Sequence, residues 1–292
     1  MRIKTVLSLL AAALLAPFIL SFTAPQECDN CIAVYGDSQV GHETHEKVVE
    51  SIMSFNPGVV FHTGDMVEDG LKEEEWGTFN SITSTLRDNT EFYPAFGNHE
   101  QHSGLFFTNF PYLEGKSWYI RQAYGINFIV LDSTSDLGPG SGQTKWLESE
   151  LDTARQNDEP VVVFMHYPPF NTGLHARETG RLQKGLVPLF DKYGVVAVFS
   201  GHDHDYQHFV HKDTHYIVFG GGGGRLYDQA AGYPEIKKFV KTHGFSTLSI
   251  NDGRLIVRAY DPESKLIDEV VIDMEKRAQA PVPIMMQDSE LE

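Results

Sequence analysis

From residue 32 onward, short apolar runs rich in Val, Ile and Phe alternate with longer stretches whose apolar residues recur three and four positions apart. The first pattern marks buried strands and the second marks one face of an amphipathic helix. The spacing predicts a strand over Ile32–Tyr35, a helix over 45–55 with Val48, Val49, Ile52 and Met53 on one face, and a strand over 58–62. A helix over 72–86 follows, with Trp76, Phe79, Ile82 and Leu86 on its apolar face, and then a strand over 92–96. Runs at 117–120 and 126–131, joined by a link containing Gly125, predict an antiparallel pair. A helix over 144–155 and strands over Val161–Phe164 and 195–199 complete this part. Strands alternating with helices define an α/β class with parallel strands. The C-terminal third changes character: β-rich runs at 215–219, 246–250, 255–260 and 267–272 predict a second, more antiparallel sheet. Residues 274–292 are polar and Pro-interrupted and are expected to fray.

The predicted strands stop at residues with chemistry to offer. Gly36-Asp37-Ser38-Gln39, Gly64-Asp65, Gly97-Asn98-His99-Glu100, Met165-His166 and Gly201-His202-Asp203-His204 each follow a strand. In an open α/β sheet ligands bind beyond the carboxyl ends of the strands, so remote residues meet there. Carboxylates, amide oxygens and imidazoles without thiolates suit hard to borderline cations such as iron, zinc or manganese. The glycines suit tight strand-to-loop turns that need positive φ and close backbone approach. Taken singly, an Asp after a strand is more often a turn former or a helix cap than a ligand. The joint occurrence reverses that reading.

Composition narrows the field. A chain of 292 residues with 41% hydrophobic content is long and apolar enough for a full core, and no linker divides it. The formal charge of -17 argues against nucleic acid as a partner, because that binding needs clustered Lys and Arg. Bound cations would still let an acidic protein take a small phosphate ester. Met1-Arg2-Ile3-Lys4 and the apolar run to Phe22 read as a signal peptide or a membrane anchor over residues 1–24. The location implied is extracytoplasmic, periplasmic or secreted, with membrane contact only through an uncleaved anchor. Cys28 and Cys31 are the only cysteines, and an oxidising compartment would close them into a small disulfide loop.

On these five motifs, in this order, the chain resembles the calcineurin-like metallophosphoesterase superfamily, including the purple acid phosphatases. The resemblance covers nearly all of the chain between leader and tail, with residues 32–273 as the catalytic domain. It implies a four-layer α/β/β/α sandwich, two divalent or trivalent metal ions (Fe, Zn or Mn), and hydrolysis of a small-molecule phosphate ester. Carried over by matching residue, Asp37 and His204 bind the first ion, Asn98, His166 and His202 bind the second, and Asp65 bridges both. His99 is the candidate general acid or transition-state stabiliser, and Asn98, His99 and His175 are the candidate substrate contacts. Many members have a His two residues after the first motif's Asp; Gln39 stands there, a weaker ligand through its amide oxygen. Purple acid phosphatases have a Tyr three residues beyond the second motif's Asp; Glu68 stands there, so no tyrosinate colour is expected. Monoesters are favoured, a phosphodiesterase or nuclease on the same site remains open, and a non-catalytic metal- or phosphate-binding protein is the alternative from another class.

Several neighbouring residues carry weaker signals. His175 reads equally as a substrate contact or as an exposed loop histidine, and Arg177 and Arg181 read as solvated arginines. His42 and His45 are expected to face solvent at a helix start near Gln39. The Gly220 to Gly224 run lacks the Lys-Ser/Thr of a phosphate-cradling loop and is expected to form a flexible wall beside the metal cleft. Trp118, Tyr119 and Trp146 are expected in the core.

Overall fold

A computed structural model describes Cys28 and residues 30–274; the leader and the rest of the tail lie outside the described residues. The first sheet begins with β1 (Ile32–Tyr35), β2 (Val59–His62) and β3 (Glu91–Pro94), with α1 (His42–Ser54) and α2 (Glu73–Asn89) between them. A short α3 (Gly104–Asn109) and a 3-10 turn (Pro111–Leu113) lead to the second sheet: β4 (Tyr119–Ala123), β5 (Ile126–Val130), α4 (Gly142–Gln156), β6 (Val161–Phe164), α5 (Gly180–Gly185), α6 (Val187–Tyr193), β7 (Ala197–Ser200), β8 (Tyr206–His211), β9 (Thr214–Phe219) and β10 (Ile236–Val240). The chain then returns through β11 (Phe245–Asn251), β12 (Arg254–Tyr260) and β13 (Leu266–Asp273). Strand order is β13-β12-β11-β1-β2-β3 in one sheet and β10-β8-β9-β7-β6-β5-β4 in the other.

The layers follow from strand alternation. On β6, Val162 and Phe164 enter the core between the sheets, whereas Val161 and Val163 enter the core beneath α4 to α6. On β7, Ala197 and Phe199 face the first core and Val198 the second. Successive side chains of a strand point to opposite faces, so a central strand buried on both sides reads as an unbroken apolar run. Phe61 of β2 stacks on Phe164 of β6 with ring centroids 4.0 Å apart, which locks the sheets face to face. Leu147, Leu151 and Phe190 cover the far side of the second sheet, and Val48, Ile52, Trp76 and Phe79 cover that of the first. This is the four-layer α/β/β/α sandwich of the metallophosphoesterase type.

The C-terminal strands depart from the expected separate sheet. β11 pairs antiparallel with β1, so β11, β12 and β13 extend the first sheet, whereas β9 pairs parallel with β7 in the second. Periodicity identifies a strand, but its partner is chosen by the face it must bury. The polar strands β8 and β10, carrying Gln207, His208, Lys237 and Lys238, escape an apolar-run criterion altogether. Edge strand β3 is protected: Tyr112 and Tyr119 donate their hydroxyls to the Phe92 and Pro94 carbonyls. Tyr119 is buried, and Trp146 packs partly buried against the second core. Cys28 and Cys31 form a disulfide just before β1. Among the described residues no helix is long and apolar enough to cross a membrane.

His45 also departs from expectation. It is buried, contacts the Tyr35 hydroxyl at 3.3 Å and stacks on Phe79. The turn before α1 directs this position inward, so it joins the α1 and α2 packing instead of the solvent. Burial, aided by repulsion from His42, pushes its pKa from 6.5 down to about 3. Between those values the unfolded chain binds a proton that the folded chain does not, so stability falls as pH drops from 6.5 toward 3. One such proton is worth at most about 1.4 kcal/mol per pH unit. We expect urea unfolding between pH 6.5 and 5 to show a shallower loss of stability in His45→Gln than in the parent. Equal slopes would rule out a buried neutral His45.

Candidate metal centre

The loops after β1, β2, β3, β6 and β7 converge at one end of the sandwich. Asp37, Asp65 and His202 themselves carry the left-handed backbone, with φ of 57°, 55° and 71°. Of the glycines before them only Gly64 shares it, with φ of 97°. The others serve close approach: a Cβ at Gly36 would collide with Thr63 Oγ1, one at Gly97 with Asp65, and one at Gly201 with Asp37. The expectation that these glycines supply positive φ is therefore corrected at three of the four.

Asp65 joins the loops. Its carbonyl accepts the Ser38 N–H at 2.9 Å and the Gln39 N–H at 3.3 Å, and its Oδ1 accepts the His99 N–H at 3.0 Å. Its Oδ2 lies 3.3 Å from His166 Nε2 and 3.9 Å from His99 Nε2. Burial alone would raise this carboxyl, but the His166 and His99 imidazoles outweigh it and hold Asp65 down at about 2. One ligand atom each from Asp65, His166 and His202 lie within 4.8 Å of one another. Asn98 Oδ1 is 3.0 Å from His166 Nε2. On the other side, His204 Nε2 stands 3.5 Å from both Asp37 Oδ1 and the Gln39 amide, and both Asp37 oxygens accept the His202 N–H. All seven residues proposed from sequence as ligands thus lie together, with His99 beside them.

Three imidazoles share one arrangement. The Nδ1–H groups of His99, His166 and His204 donate to the carbonyls of Glu68, Thr63 and Arg225 at 2.7, 3.0 and 2.8 Å. Each Nε2 is thereby left facing the cleft, as a ligand or proton-bearing nitrogen requires. Burial lowers His166, but Asp65 and Asp37 prevail and push it up to about 9. Burial, with repulsion from His166 and His175, pushes His202 down to about 2 and keeps it neutral. Burial also raises Asp37 in spite of His204 and His166 beside it. A buried carboxylate in that position calls for a cation. Gln39 Oε1 is buried without a hydrogen-bond partner, and the oxygen and imidazole donor set matches hard to borderline ions. The residues therefore fit metal ions.

Two supporting residues went unassigned in the sequence. Glu100 is fully buried and accepts the backbone N–H groups of Asp65, Met66 and Gly97 at 2.9, 2.7 and 2.6 Å. Asp203, also buried, accepts from His175 Nδ1 at 2.6 Å and brings its ring 4.1 Å from that of His202. Both stand inside quoted motifs, and that adjacency was the available signal. The Gly220 to Gly224 run is buried and pinned, with Gly222 N–H on the Gly36 carbonyl and Gly224 N–H on the Asp37 carbonyl. It is a fixed wall, not a flexible one, because each residue lies where a side chain would strike the first motif, Asp203, His204 or a neighbouring loop. Arg181 donates to the Ser133 and Ser135 carbonyls. It also lines a cavity of about 230 Å³ with Tyr167, His175, Glu178 and His202. A larger cleft of about 610 Å³, beside Arg87, Tyr112 and Arg121, lies at the start of β3, away from this chemistry.

Such a sandwich with this cluster at its strand ends defines a phosphoesterase-type fold. Residues 32–206 match the calcineurin-like phosphoesterase family, and the chain belongs to that family. It is 29% identical over 266 residues to probable purple acid phosphatase 20 of Arabidopsis thaliana, covering 80% of this chain and 60% of the relative. It is 23% identical over 284 residues to a nucleotide pyrophosphatase/phosphodiesterase of Hordeum vulgare, covering 80% of this chain and 76% of that one. A purple acid phosphatase from yellow lupin (Lupinus luteus) seeds superposes with a TM-score of 0.72 at 16% identity, over 84% of this chain and 53% of that one. The chain spans about half the length of the curated purple acid phosphatases it matches.

Replacing Glu100 tests the support beneath Asp65. Glu100→Ala leaves three buried N–H groups unpaired, each worth about 1–3 kcal/mol, whereas Glu100→Gln keeps one acceptor oxygen. We expect urea unfolding to show a loss of about 3 kcal/mol or more for Ala and roughly half of that for Gln. Equal, small losses would show that Glu100 does not hold the loops.

Proposed function

We propose that this protein is an exported, metal-dependent phosphoric ester hydrolase, with residues 32–273 as its catalytic domain and monoesters favoured. The observation that carries this reading is the convergence of Asp65, His166 and His202 within 4.8 Å. Asp37, Gln39 and His204 would hold one ion and Asn98, His166 and His202 a second, with Asp65 shared between them. When bound, such ions supply positive charge to the phosphate oxygens and lower the pKa of water at the site.

The chain's own residues then bind and position the ester. Asn98 turns Oδ1 toward His166, which leaves its amide N–H groups for a phosphate oxygen. His99, with its side chain 30% exposed, is reachable by substrate, and its Nδ1 bond to Glu68 leaves Nε2 to hold a proton toward the leaving-group oxygen. Burial lowers the His99 pKa, but Asp65 and Glu68 prevail and the net shift is upward, which favours a proton donor. His175, whose pKa its bond to Asp203 raises, offers a second imidazole to an anionic ester. Export is supported by the apolar leader sequence and by the Cys28–Cys31 disulfide.

A diesterase reading is favoured by the barley relative, of which this chain spans 76%. Expression of the residues after the leader, metal analysis and comparison of a phosphomonoester with a phosphodiester test both readings. We expect faster hydrolysis of the monoester, and loss of bound metal in Asp65→Asn. We also expect kcat/KM in that variant to fall about 10²-fold or more, the scale on which one preorganised electrostatic group acts. No turnover with zinc, manganese or iron would overturn the hydrolase reading.

A further inference from the structure

Two carboxylates interleaved with the histidines after β7 are buried with half of their bonding capacity unused. Asp203 and Asp205 are both fully buried, and Asp203 Oδ2 and Asp205 Oδ2 each have no hydrogen-bond partner. Their other oxygens are engaged. Asp203 Oδ1 accepts from His175 Nδ1 at 2.6 Å, and Asp205 Oδ1 accepts from Gln207 Nε2 at 2.8 Å. Among the described residues the ion pair with His175 is the only one that either carboxylate makes, and no Lys or Arg reaches them. A buried carboxylate oxygen without a donor or a cation is costly, and such atoms are rare in folded proteins.

The two unused oxygens flank one gap. A Cβ at Gly173 would stand 2.4 Å from Asp203 Oδ2 and 2.8 Å from Asp205 Oδ2, with no other residue's atoms nearer. Contacts that short exclude a methyl group, so any side chain at this position would close the space that the two oxygens share. Gly173 has no left-handed φ, and the glycine therefore serves space and not backbone freedom. Its N–H is fixed by the Asn171 side chain at 2.8 Å, and Gln207 Nε2 bonds both that same Asn171 oxygen and Asp205. The gap is thus held open by a rigid polar network.

We propose that Asp203 and Asp205 hold a hard divalent cation of the calcium type beside Gly173, with donors separate from those of the candidate metal centre. The free donors here are carboxylate oxygens alone, since the Nδ1 of His175 is already engaged. Oxygen-only donors suit calcium, which completes its shell with backbone carbonyls and water, and not zinc or iron, which favour imidazole. Two buried carboxylates answered on one side by a single imidazole also call for further positive charge. The ion would tie the loop after β6, which carries His175, to the segment that carries His202 and His204. It would therefore steady candidate ligands without touching substrate.

Calorimetric titration of the full chain, with its bound metals, against calcium chloride tests the site. We expect one calcium ion per chain, no release of the metals already bound, and a thermal midpoint that rises with calcium. Asp205→Asn keeps the acceptor for Gln207 and removes the charge. Its calcium affinity is expected to fall at least about tenfold, the scale of one lost charged partner. Gly173→Ala, which leaves both carboxylates in place, is expected to weaken calcium as well, and it carries the test if Asp205→Asn does not fold. No calcium binding by the folded parent overturns the proposal and leaves a water or a shared proton between the carboxylates. Affinity unchanged in both variants overturns it by placing the ion elsewhere, and so does calcium uptake matched by release of the bound metals. Calcium binding in a chain that turns over no ester upholds this site and overturns the hydrolase reading alone.

Discussion

Asp65 is where this structure is tied together. Its carbonyl holds the loop after β1, its carboxylate holds the loop after β3 through the His99 N–H, and the same carboxylate faces His166 after β6. A buried charge that reaches three loops cannot be moved without unpairing polar groups in each of them. Glu100 completes the arrangement from below by accepting the Asp65 N–H and two others. The cost of packing two carboxylates so near each other falls on Glu100, which burial and the Asp65 charge push up to about 7. Donor geometry at the site is therefore a property of loop backbones as much as of side chains.

Close approach is the second constraint, and it explains the glycines better than backbone freedom does. Gly97 admits the Asp65 carboxylate, Gly201 admits that of Asp37, and Gly224 lies against the ring of His204. The strained φ values fall on Asp37, Asp65 and His202 instead. Asp and His are among the residues that tolerate this region, and each is fixed by bonds to its neighbours. Small residues thus surround functional residues whose own backbone aims them. The same division appears at Val40 and Gly41, where the glycine provides contact and the side-chain-bearing residue takes the unfavourable angle.

Much of this was legible in the chain because buried parallel strands are continuous apolar runs and stop abruptly. Asp37, Asp65, Asn98, His166 and His202 were readable from the strand ends they follow. Their supports were not. Glu100 binds main-chain donors that carry no residue identity, and Asp203 acts through His175, a contact made between two loops. His45 misled because a helix-start histidine looks solvated, while Tyr35 and Phe79 wait on its inner side. The C-terminal strands misled because pairing is decided by which sheet edge stands open, at β1 for β11 and at β7 for β9.

Gln39 and the overall charge bear on one another. A chain of formal charge -17 draws cations to its surface and repels an anionic ester, so its cleft must reverse the local sign. On the proposed reading the donor set does so by holding ions among Asp37, Asp65 and five imidazole and amide groups, Gln39 and His204 on one side of the shared carboxylate and Asn98, His166 and His202 on the other. An imidazole in the place of Gln39 would compete for protons as well as for metal. An amide oxygen cannot be protonated at ordinary pH and leaves its position open to a cation whatever the pH, at the cost of weaker binding.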